Sequence, residues 1–122
     1  QYFIAQRQYQ MLSLLDGQIQ FLITECSLPQ MLFYNETYLD NICDIPKTRT
    51  QILEWYKQCN NINIVVARSD RQYLRTGRFQ DEDQARAIDR GLIELMNREA
   101  LPYTVVPTEV DAINAFAATL LT

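Results

Sequence analysis

"NINIVVA", residues 61–67, is the stretch on which the fold turns. It is short, apolar and rich in β-branched side chains, the pattern of a strand buried on both faces. The segment before it, "PKTRTQILEWYKQC" (46–59), has helical spacing, with Thr48 or Thr50 near its cap and Ile52, Leu53, Trp55 and Tyr56 as its apolar side. The segment after it, "DEDQARAIDRGLIELMNRE" (81–99), begins with acids and carries Arg98 near its end, a charge order that suits the helix dipole. Ala85, Ile88, Leu92 and Leu95 make one stripe along it.

The same alternation continues outward in both directions. "PYTVV" (102–106) reads as another strand, and "PTEVDAINAFAATLL" (107–121) as a closing helix capped by Thr108, with Val110, Ile113, Phe116 and Leu120 as its apolar face. Upstream, "IQFLIT" (19–24) has the composition of a buried strand, and "CSLPQMLFYN" (26–35) follows as a loop and short helix. Phe3, Ile4, Met11, Leu12, Leu14 and Leu15 predict an amphipathic first helix that ends at Gly17. Helices and strands alternate, with connections too long for hairpins, so the expected class is α/β: a parallel sheet sandwiched between helix layers. Ligands of such sheets bind beyond the carboxyl ends of the strands, here Thr24-Glu25, Ala67-Arg68 and Val106-Pro107.

Composition narrows the functions. The 122 residues, 48% hydrophobic, have room for one core, and a single domain over 1–122 is expected. A net charge of −4 disfavours nucleic acid and anionic membrane as partners, because both modes need a cationic surface. No run approaches a spanning helix and no signal segment opens the chain, so a cytosolic (cytoplasmic) location is expected. With no histidine, Ser-His and Cys-His catalysis and a zinc site drop out. Cys26, Cys43 and Cys59 read as reduced thiols, mostly buried. The chain opens without a methionine and without a capping residue before its first helix, and it reads as a piece of a longer protein.

Three places carry candidate chemistry. Glu25, in "ITECS" at the end of the 19–24 segment, is placed to hold Mg2+ through water or to take a proton from an attacking hydroxyl; the plainer alternative is an acid that caps the next turn. Arg68, Arg71, Arg75 and Arg78 concentrate positive charge directly after residues 61–67, and guanidinium forks match phosphate oxygens. Gly77 permits a tight turn or hinge, so residues 68–82 form a candidate lid. The alternative is a solvated loop whose arginines pair with Asp81, Glu82 and Asp83. Pro107 and Thr108, after the last strand, either flank a nucleotide base or simply start the final helix. The tyrosines and Trp55 read as packing residues.

Together, "QFLITECSLPQMLFYN", "GRFQDEDQARAID" and "YTVVPTEVDAINAF" resemble the small P-loop kinases, in particular the kinase-like ATPases of the AAA type found in bacteriophages, related to nucleoside, nucleotide and ribosylnicotinamide kinases. The resemblance implies a P-loop NTPase-like three-layer sandwich, ATP and Mg2+ as cofactors, and phosphoryl transfer to a small nucleoside- or nucleotide-like acceptor. It places Glu25 at the metal or acceptor, Arg75 and Arg78 with Arg71 on the phosphates, and Pro107 and Thr108 at the base. Two departures stand out. Glu25 occupies a position where the family most often has aspartate, and no G-x-x-x-x-G-K-[ST] loop occurs, the glycines being Gly17, Gly77 and Gly91. The resemblance thus implies that the first strand and phosphate loop precede residue 1. A kinase-derived module that binds nucleotide or protein without turnover, alone or as a homo-oligomer, is the second reading; a nucleic-acid end kinase is the third.

Overall fold

The computed structural model describes residues 1–69, 76, 77 and 79–121. The chain is α/β and mostly helical, and it divides into two compact units, Gln1–Asn61 and Ile62–Thr122.

The first unit is three helices, α1 (Tyr2–Leu15), α2 (Leu28–Thr37) and α3 (Ile45–Lys57), which pack on one another. Local sequence fixes their starts. Ser27 and Gln30 form a reciprocal capping box at α2, with Pro29 in the first turn, where its missing N–H costs nothing. At α3 the cap is Asp44, whose carboxylate accepts from the Lys47 amide at 3.0 Å; the expected Thr48 and Thr50 lie inside the helix. Pro46 explains the shift, because a proline sits best in the first turn and so sets the start before it. Ala5, Leu28, Met31, Leu32 and Ile52 are buried, together with Asn35 and Thr48. Asn35 lies in a polar knot: its amide donates to the Ile45 carbonyl, and Asn41 donates to both the carbonyl and the side-chain oxygen of Asn35. Buried amides persist only when bonded in this way.

Two further expectations fail in this unit. Residues 19–24 are not a strand; they run as exposed irregular chain, with Ile23 93% exposed. A strand is stabilised by a paired neighbour, and among the described residues no ladder includes this segment. The helix α1 is present and gives way at Gly17, whose φ of +75° is the left-handed turn glycine permits, but its faces are reversed. Phe3, Ile4, Met11, Leu14 and Leu15 are exposed, whereas Tyr2 and Tyr9 turn inward onto Trp55, Tyr9 stacking on it with centroids 5.5 Å apart. Aromatic rings offer more area per residue than the aliphatic stripe and have won the inner face.

The second unit is β1 (Ile64–Ala67), α4 (Glu82–Arg98), β2 (Thr104–Pro107) and α5 (Val110–Leu120). The strands pair in parallel, Ile64 with Thr104 through Ala67 with Pro107. Parallel neighbours need a crossover, and α4 supplies it. Its start is a second reciprocal capping box, Asp81 with Gln84, followed by Glu82 and Asp83 in the first turn. It ends with Ala100 at φ +54° and the Leu101 amide donating back to the Met96 carbonyl at 2.8 Å, a closure normally left to glycine. Ala85, Leu95, Met96, Leu101 and Val106 are buried. At α5 the cap position is Glu109 rather than Thr108, without a side-chain cap bond, and no residue of the helix is buried. The sheet has two strands among the described residues, fewer than the three expected.

Candidate functional site

The register of β1 and β2 defines the site. Because Ala67 pairs with Pro107, the two strands end side by side, and Arg68 and Thr108 are the first residues beyond that shared edge. This is where open parallel sheets receive ligands. Pro107 closes β2 and is exposed; Thr108 follows it half-buried.

Arg68 is held in place. Its guanidinium donates twice to Asp89 of α4, Nε to Oδ2 at 2.7 Å and Nη2 to Oδ1 at 3.1 Å. Both side chains remain partly exposed, so the pair orients the guanidinium more than it stabilises the fold. Asp89 is the residue that sequence reasoning missed, since it lies within a helical pattern and pairs across 21 positions. The available signal was one helical turn: Asp89 lies four residues after the buried Ala85, on the same face of α4.

The acids at the start of α4 have other tasks. Asp81 is the cap and Glu82 bonds Arg86 one turn on, at 3.0 Å. Gly77, in a Thr76–Gly77 turn with φ +76°, adopts the left-handed conformation expected of it. Arg71, Arg75 and Arg78, the remainder of the expected lid, lie outside the described residues.

Glu25 belongs to the other unit. It sits exposed in a bend ahead of α2, not at the end of a strand. Gln8 braces this bend by donating to the Thr24 hydroxyl and to the Cys26 carbonyl. Among the described residues no cluster of three or more carboxylates, thiols or imidazoles is present, so Glu25 does not form a magnesium cage there. The cysteines are more open than expected: Cys26 is exposed, while Cys43 and Cys59 are half-buried free thiols. Burial, and secondarily the charge of Asp16, pushes the Cys59 thiol up from its ordinary value.

Shallow depressions occur elsewhere. One, lined by Met96, Leu101 and Tyr103, is at the amino end of β2, where the Tyr103 hydroxyl bonds Asn97 at 3.0 Å. It does not include the strand ends. No helix among the described residues is long and apolar enough to cross a membrane. No protein-family model matches the sequence, and no curated protein or solved structure is similar to it at a significant level.

Proposed function

We propose that the chain handles the phosphates of a nucleotide, as part of an ATP-dependent phosphoryl-transfer protein of the P-loop NTPase-like class acting on a nucleoside- or nucleotide-like acceptor. The observation that supports this reading is the parallel register that sets Arg68 and Thr108 beside each other at the carboxyl edge. Arg71, Arg75 and Arg78 follow in sequence and supply further guanidinium groups to offset the charge that spreads over a transferring phosphoryl group. Asp89 fixes the Arg68 guanidinium with two hydrogen bonds, while the Pro107 and Thr108 backbone packs beside the base.

The test is titration of the chain with Mg2+-ATP while backbone amide resonances are followed. Saturable shifts are expected at Ala67, Arg68 and Thr108, and Arg75→Ala and Arg78→Ala should each weaken binding about tenfold, the loss of roughly one charge-assisted contact apiece. Absence of saturable shifts at those amides sinks the reading. A second reading, binding without turnover, is favoured by the Arg68–Asp89 fork, since that guanidinium already has a carboxylate. Saturable shifts with no phosphate released would select it.

A further inference from the structure

The outer face of α1 is the least explained surface of the chain. Phe3, Ile4, Met11, Leu14 and Leu15 are 75, 54, 53, 75 and 39% exposed. At the helical repeat these five and Arg7 fall within an arc of about 120°, opposite the Tyr2, Ala5 and Tyr9 side that packs inward. Contiguous apolar patches of this kind mark interaction sites.

The spacing selects the occupant. Reversed about the level of Tyr9, the stripe maps onto itself: position 3 onto 15, 4 onto 14, and 11 onto 7. Two-fold interfaces need this self-complementarity, in which residue i meets j and j meets i. We propose that α1 pairs with α1 of a second copy of this chain, the two helices running antiparallel about a two-fold axis at the level of Tyr9. Phe3 then packs on Leu15 of the second copy and Ile4 on its Leu14. Arg7 lays its aliphatic stem over Met11 of the second copy and turns its guanidinium to the rim.

Charge sets the direction. Arg7 is the one formally charged residue within Tyr2–Leu15. A parallel pair would stack Arg7 on Arg7, whereas the antiparallel pair separates them by four residues, about 6 Å along the axis. The five exposed side chains bury on the order of 1,000 Å2 in the pair, the lower limit for a specific interface.

Sedimentation of the full chain between about 5 and 500 μM tests the proposal, spanning the affinities such an area supports. A concentration-dependent monomer–dimer equilibrium is expected. Ile4→Glu and Leu14→Lys should each abolish it with the helical circular dichroism unchanged, since both sites are exposed. Mixing the two variants should restore a heterodimer, because the antiparallel pair brings the new carboxylate and ammonium together, which a parallel pair does not. A monomer throughout the range, or a mixture that stays monomeric, overturns the proposal. Neither result bears on nucleotide binding at the strand ends.

Discussion

The two units of the chain bury their side chains by different means. In Gln1–Asn61 the interior combines apolar residues from all three helices with the Asn35–Asn41 polar knot, and every helix contributes at least one buried residue. In Ile62–Thr122 the buried residues come from α4, its C-terminal turn and Val106, while α5 contributes none and Ile64, Val66 and Val105 stay exposed. Three amphipathic helices can close a small core by mutual packing. A two-stranded parallel sheet covers less, because parallel strands are normally buried on both faces by flanking layers. The difference teaches that β-branched composition alone does not guarantee burial.

Three substitutions probe this contrast. The largest effect is expected for Ile52→Ala, which empties a fully buried position in α3 and should cost about 2–5 kcal/mol. Urea unfolding followed by the fluorescence of Trp55, the only tryptophan in the sequence, measures it within the same unit. A cost below about 1 kcal/mol would mean that the three-helix interior relaxes freely, and the contrast would collapse.

A smaller change of opposite sign is expected for Ala100→Gly. The left-handed φ of +54° is strained for alanine and free for glycine, so relief of roughly 0.5–1 kcal/mol should raise the thermal midpoint seen by circular dichroism. A fall instead would indicate that unfolded-chain entropy outweighs the strain. Smallest of all is Val110→Ala on α5. At 71% exposure, the change should stay within about 0.5 kcal/mol in the same measurement. A loss approaching that of Ile52→Ala would show that α5 is a core element and would break the comparison.

Much of the fold was legible because it is written locally. The start of α4 near residue 81 was visible from the acids of its first turn, and the left-handed turns at Gly17 and Gly77 follow from a missing Cβ, whereas the caps expected at Thr48 or Thr50 and at Thr108 fall instead at Asp44 and Glu109. The strands around 64–67 and 104–107 were visible as short β-branched runs. Residues 19–24 carry the same signal and fail, because strand formation depends on a neighbour that composition does not supply. For the site, the strand ends at Arg68 and Pro107 were legible and Asp89 was not: ion pairs across a helix crossover have no fixed sequence spacing.

The sequence by itself determined the turn glycines at 17 and 77 and the strand–helix–strand–helix order of the second unit, all of which depend on residues within a few positions. Only the tertiary structure decided which face of α1 turns inward, which apolar runs become strands, and which carboxylate holds Arg68. Those outcomes depend on competition between distant partners for the same surface, and a stack of Tyr9 on Trp55 displaces an aliphatic stripe only once α1 and α3 lie side by side.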